Sequence, residues 1–121
     1  MKKTVVIGAS PQSNRYSNLA CRMLKGAGFE CVPVGIKRGV VDGVEILDLR
    51  QRPAVPDVHT VTMYLGSKNQ PEWYDYILSL HPQRIIFNPG AENPEFARQA
   101  AEKGIEVEFA CNLVLLRTGQ F

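Results

Sequence analysis

The sequence predicts an α/β protein built on an open, mostly parallel sheet with helices on both faces. Three observations lead there. Short apolar runs alternate with segments of helical periodicity along the chain. The first run, Thr4-Val5-Val6-Ile7, empties into a glycine-led turn and then directly into a helical stripe, which is the opening of a βαβ unit. The third is scale: 121 residues, 45% hydrophobic and 21% charged, suit one domain over residues 1–121 with one sizeable core.

The elements follow in order. After Thr4–Ile7 comes a helix marked by Leu19, Ala20, Met23, Leu24 and Ala27 and stopped by Gly26-Ala27-Gly28. A second strand, Cys31-Val32-Pro33-Val34-Gly35, leads into a segment of mixed character from Val40 to Pro56, with Val44-Glu45-Ile46 as a short extended piece. His59 to Tyr64 is rich in β-branched residues and forms the third main strand. Pro71 sits where a first helical turn begins, with Trp73, Tyr76, Ile77 and Leu80 as the stripe behind it and His81-Pro82 as the break. Arg84–Phe87 is the fourth strand. The next helix carries Asn93 as N-cap, Pro94 at its first position, Glu95 in its first turn and Gly104 as stop. Ile105–Phe109 alternates as a fifth strand, while Asn112–Leu116 fits a short helix or a strand equally well.

Several function classes fall away. The formal charge is +2 and no basic run exceeds Lys37-Arg38, which gives nucleic acid no groove. Met1-Lys2-Lys3-Thr4 enters the first strand without signal-peptide architecture, and no apolar stretch approaches the roughly 20 residues of a membrane span. Cys21, Cys31 and Cys111 are odd in number and widely spaced, so neither a disulfide framework nor a metal motif is expected. Cys21 and Cys31 read as core residues, and His59 and His81 lack ligand spacing. A reducing cytoplasm fits this usage.

In such sheets ligands bind beyond the carboxyl ends of the strands, where the strand order reverses. The loops to watch are therefore Gly8–Ser17, Gly35–Gly39, Tyr64–Gln70 and Asn88–Asn93. The first, Gly-Ala-Ser-Pro-Gln-Ser-Asn-Arg from Gly8 to Arg15, offers backbone N–H groups and a helix N-terminus to a phosphate or pyrophosphate. It keeps only the first glycine of G-x-G-x-x-G, with Ser10 and Ser13 in the other places. At the end of the second strand, where NAD-binding proteins place an acid for the ribose, the chain reads Gly35-Ile36-Lys37-Arg38-Gly39. Cations there either form a solvated turn or seat a phosphorylated ribose, as in coenzyme A or NADP.

Taken together, Gly8-Ala9-Ser10, Arg15-Tyr16-Ser17-Asn18, Pro33-Val34 before a basic turn, and Asn88-Pro89-Gly90 before a helix resemble the CoA-binding-domain proteins. These are Rossmann-like domains similar to the N-terminal domain of the succinyl-CoA ligase alpha subunit. The resemblance runs from Lys3 to about Phe121 and extends to the ending Ala110–Leu116 with Thr118-Gly119-Gln120. It implies a Rossmann-like open parallel sheet of about five strands. It also implies that Gly8, Ala9, Ser10, Arg15 and Ser17, with Tyr16 beside them, surround the pyrophosphate of coenzyme A or an acyl-CoA. Lys37 and Arg38 would meet the 3′-phosphate, Tyr64 and Leu65 would border the adenine or ribose, and Asn88, Pro89 and Gly90 would line the pantetheine side. The chain departs from the family at Gly35-Ile36, where many members carry Asn-Pro.

The ligase reaction is not implied, because it uses a phosphorylated histidine in a second domain and a partner subunit. Three functions are expected in order: a non-catalytic CoA carrier, sensor or regulatory module; an NADP-dependent reductase or NADP-binding regulator; and an interaction protein or homo-oligomer using the Trp73–Leu80 stripe. Ser10 and Ser17 have no histidine nearby in the chain and are assigned to phosphate contact or capping. Cys111, after the fifth strand, is placed on the carboxyl edge.

Overall fold

Thr4–Ile7, Cys31–Gly35, Thr60–Met63 and Arg84–Phe87 are near-continuous apolar or threonine runs, the pattern of strands covered on both faces. In the computed structural model, which describes residues 2–121, they form the centre of a six-stranded, all-parallel sheet. In chain order the elements are β1 (Thr4–Ile7), α1 (Tyr16–Gly26), β2 (Cys31–Gly35), β3 (Val40–Val41), β4 (Val44–Glu45), β5 (Leu47–Asp48), β6 (Thr60–Met63), α2 (Tyr74–Ser79), β7 (Arg84–Phe87), α3 (Pro94–Glu102), β8 (Glu106–Phe109) and α4 (Asn112–Arg117). The sheet order is β5-β2-β1-β6-β7-β8, so the direction of winding reverses between β1 and β6. That Rossmann-like reversal fixes where a ligand can enter.

Alternation along each strand divides the core. Val5, Ile7, Val61, Met63, Ile85 and Phe87 pack with Trp73, Tyr76, Ile77 and Phe96 on one face. Val6 and Ile86 pack with Cys21, Leu24, Cys31 and Phe121 on the other. The predicted stripe of α2 is therefore core. Cys21 and Cys31 are also buried there, where contact with Cys21 and loss of solvent push the Cys31 thiol well up.

The helix ends obey local chemistry. Phe29 N–H bonds the Leu24 carbonyl at 2.9 Å around a left-handed Gly28, closing α1. Asn93 Oδ1 accepts from Phe96 N–H at 3.0 Å, opening α3. The expected α2 starts later than Pro71, which opens a 3-10 turn (Pro71–Trp73) before the α-helix begins at Tyr74. The undecided tail is helical.

The one substantial difference lies between Val40 and Asp48. The extended piece expected at Val44–Ile46 is one arm of a β3–β4 hairpin turning on Asp42-Gly43, both at positive φ. Leu47 and Asp48 then pair with Val34 and Gly35 as a sixth parallel strand, against about five expected. Two residues are too few to display a period, which is why this strand has no sequence signature.

At the amino edge, His59 Nδ1 lies 2.7 Å from the Thr60 hydroxyl, which itself accepts from Arg84 Nε at 3.1 Å. The hydroxyl proton is thus free for an unprotonated Nδ1. Burial, then the charges of Arg84 and Lys2, lower the His59 pKa, against a smaller opposing effect of Glu106. A lowered histidine pKa contributes stability fully above the unfolded value of about 6.5 and loses it as pH falls from there through the folded value. The thermal midpoint is therefore expected to fall between pH 7 and 5, and His59→Gln should flatten that slope. An unchanged slope in the variant rules this out.

Candidate functional site

The backbone at the reversal is packed as tightly as backbone can be. Gly8 (φ 94°) donates to the Val34 carbonyl at 2.9 Å, and Tyr64 N–H reaches the Ile7 carbonyl at 2.8 Å. A Cβ on Gly8 would lie 2.9 Å from the Tyr64 carbonyl carbon, and one on Gly35 would lie 2.5 Å from the Ala9 oxygen. Both positions therefore exclude any side chain, and the loops after β1, β2 and β6 meet in direct backbone contact.

The loop from Ser10 to Arg15 is held by α1 itself. Asn18 Nδ2 donates to the Ser10 carbonyl at 2.9 Å; Arg22 donates to Asn18 Oδ1 at 2.8 Å and to the Ser13 carbonyl at 3.0 Å. Ser10 Oγ accepts from Gln12 N–H at 3.2 Å. Arg15 occupies the N-cap of α1 but makes no side-chain cap. An eleven-residue helix thus presents an uncapped, positive end.

This end opens onto a cleft of about 500 Å³ at the reversal. Gly8, Ala9, Ser10, Arg15, Tyr16 and Ser17 line one side, and Gly35 and Lys37 line the β2 side. Tyr64, Leu65, Pro89 and Gly90 complete it from the loops after β6 and β7. Tyr64 also carries a buried hydroxyl without a hydrogen-bond partner, and burial pushes its phenol upward.

Two expected residues lie elsewhere. Asn88 is buried and structural: its Nδ2 donates to Thr62 Oγ1 at 2.7 Å and the Met63 carbonyl at 2.9 Å, and its Oδ1 accepts from Asn112 N–H at 2.8 Å. It ties β6, β7 and the start of α4 together beneath the cleft. Arg38 is not among the lining residues. Cys111, half-buried, does not line the cleft either.

Asn14, Ile36 and Ala91, within the expected loops but without an expected role, also line the cleft, as does Leu49 outside those loops. Gln70 likewise had no expected role. It is fully buried, and its Nε2 bonds both the Leu65 carbonyl (2.7 Å) and the Ala91 carbonyl (2.9 Å), one from each of two cleft loops. Asn93 Nδ2 closes the network on Gln70 Oε1 at 2.9 Å and Tyr74 Oη at 2.7 Å. Only Gln70's place just before Pro71 hints at this role.

The strand order and the cleft at its reversal define a Rossmann-like α/β domain. Residues 2–117 match the CoA binding domain model, and the chain belongs to that family. It is 49% identical, with a TM-score of 0.96, to a solved structure of an uncharacterized protein, covering 100% of this chain and 98% of that one. A hypothetical protein from Pyrococcus horikoshii OT3 (23% identity, TM-score 0.82, 97% and 82% covered) shares the fold. So does a Thermus thermophilus protein (21%, TM-score 0.79, 99% and 91% covered). No curated protein matches the chain. No helix among the described residues is long and apolar enough to cross a membrane.

The Gln70 network makes a measurable demand. Gln70→Leu fills the space but leaves the Leu65 and Ala91 carbonyls and an Asn93 N–H unpaired. Leaving buried polar groups unsatisfied costs about 1–3 kcal/mol each before relaxation, so a loss of about 2–4 kcal/mol is expected in urea unfolding. A loss below about 0.5 kcal/mol, the range of a neutral surface change, contradicts the assignment.

Proposed function

We propose that the cleft binds coenzyme A, free or acylated, and that this chain is a single-domain carrier, sensor or regulatory module without turnover of its own. The observation that carries the reading is the joint lining of one cleft by an uncapped helix N-terminus and Lys37, in a member of the CoA binding domain family. The two cationic features match the two separated anionic parts of the ligand. The backbone around Gly8, Ala9 and Ser10, with Arg15, Tyr16 and Ser17, would hold the pyrophosphate. Lys37 would meet the 3′-phosphate; β2 itself carries no acid there, and the Asp48 carboxylate paired beside Gly35 is bonded to Arg50. Tyr64 and Leu65 would border the adenosine, and Pro89 and Gly90 the pantetheine arm. When bound, coenzyme A supplies a thiol able to carry an acyl group as a thioester.

Ser10 and Ser17 line the cleft beside the start of α1, where they would serve as phosphate contacts rather than as nucleophiles. NADP shares a phosphorylated ribose and is the natural competitor in any test.

Titration calorimetry with coenzyme A, 3′-dephospho-coenzyme A and NADP checks the assignment. The wild type is expected to bind coenzyme A roughly tenfold or more tightly than the dephosphorylated form, about 1.4 kcal/mol for a partly exposed charge-assisted contact. Arg15→Ala should weaken both, because both keep the pyrophosphate. Lys37→Ala should weaken coenzyme A alone. Equal affinity of the wild type for the two forms, or tighter binding of NADP, rejects this reading.

A further inference from the structure

The expected partner of Lys37 at the ribose phosphate is Arg38, yet another cation is held in place beside the cleft. Arg50 follows β5, the strand whose Asp48 pairs with Gly35 at the carboxyl edge. Asp48 Oδ1 accepts from the Arg50 backbone N–H at 3.0 Å and from Arg50 Nε at 3.3 Å. The guanidinium then reaches the end of β2, where one terminal nitrogen donates to the Ile36 carbonyl at 3.3 Å. Ile36 and Lys37 line the cleft, as does Leu49, the residue immediately before Arg50. The guanidinium is therefore fixed against the backbone of the basic turn, at the residue preceding Lys37.

The donor count leaves room for a ligand. A guanidinium has five N–H donors, and the bonds to Asp48 and Ile36 occupy two of them. Its side chain remains 63% exposed, so the free edge faces solvent rather than core. Asp48 is the carboxylate paired beside Gly35, and the Arg50 N–H groups, with the charge of Arg38 as a minor contributor, hold its pKa down. Its negative charge is thus engaged by Arg50 and Arg38. Lys37, Arg38 and Arg50 set three cations around the Asp48 carboxylate at the end of β2, a local surplus suited to a phosphate close to dianionic.

We propose that Arg50, held by Asp48 and Ile36, is the second phosphate-binding cation of this cleft and pairs with Lys37 on the terminal ribose phosphate. The inference rests on the reading of the cleft as a coenzyme A site and adds to it a residue from a different strand. A planar fork pre-organised by two contacts loses less freedom on binding than a free lysine or arginine on the turn. Arg38 then serves the turn's surface field, not the seat itself.

The experiment measures the ratio of affinities for coenzyme A and 3′-dephospho-coenzyme A. Arg50→Gln should lower that ratio about fivefold or more, the scale of one partly exposed charged contact, while changing the affinity for the dephosphorylated form less than about twofold. Arg38→Gln should leave the ratio within about twofold, as expected for a charge screened by solvent. To separate direct contact from mere support of Lys37, Arg50→Gln is added to Lys37→Ala. A further fall in the ratio establishes an independent contact; no further fall means that Arg50 acts only through the turn, and overturns the proposal. A wild type that discriminates while Arg50→Gln retains the full ratio overturns this inference alone. A wild type that does not bind coenzyme A overturns both it and the proposed function.

Discussion

Everything at the carboxyl edge depends on one contact: the backbone of Gly8 against the backbone of Tyr64 and Leu65. The reversal of winding between β1 and β6 leaves no crossover helix above that point, and a cleft forms because the two loops diverge from there. They can diverge only after crossing, and they cross at a distance that admits no Cβ. Gly8 at φ 94° satisfies both the turn and the approach. The direction in which α1 sets out, and hence where its positive end points, follows from this single residue.

The second level is polar. Loops that carry a ligand site are free to move unless their backbone groups are bonded, and here the bonding comes mainly from side chains buried behind them. Asn18 and Arg22 hold the loop after β1, Gln70 holds those after β6 and β7, and Asn88 anchors the base of the latter to α4. None of these side chains is needed to fill the core. The burial of Asn18, Gln70 and Asn88 is costly without partners, and each pairs with loop or strand backbone, while the exposed Arg22 adds a bond from the surface. The core therefore specifies the sheet, while this polar layer specifies the shape of the cleft.

This division explains what could be read from the chain. Continuous apolar or β-branched runs located β1, β2, β6 and β7, helical periodicity located α1, and cap and stop residues located α3, because each of these signals lies within the element itself. It followed that ligand loops lie after these strands; Gly8 and Lys37 were singled out by position, whereas the roles of Tyr64 and Pro89 came from the family resemblance. Asn88 shows where position stops: it follows a strand at the correct edge, but its side chain is directed by Thr62 and Asn112, which lie 26 and 24 residues away. Gln70 is the complementary case, a glutamine in a turn-rich segment whose burial depends on Ala91 and Asn93, elements distant in sequence. The β3–β4 hairpin had a local signal in Asp42-Gly43 that outweighs the weak apolar pattern around it. β5 had none.

The short β5 has a consequence beyond strand count. Without it, the segment after the hairpin would have no register with β2, and Arg50 would be an unremarkable charge in a loop. Pairing of Leu47 with Val34 and Asp48 with Gly35 brings a carboxylate to the end of β2, the place where an acidic residue of β2 itself is missing. An acid at that edge reverses its meaning according to what it faces. Free, it would accept a ribose hydroxyl and repel a phosphate; engaged by the Arg50 backbone and side chain, it presents a guanidinium in its own place. On the proposed coenzyme A reading, the same sheet edge would change from hydroxyl-accepting to anion-accepting through a residue two positions along the chain. On that reading the glycine-led loop would serve the pyrophosphate common to several ligands, and the preference among them would come from the charge that the neighbouring strand brings to the end of β2.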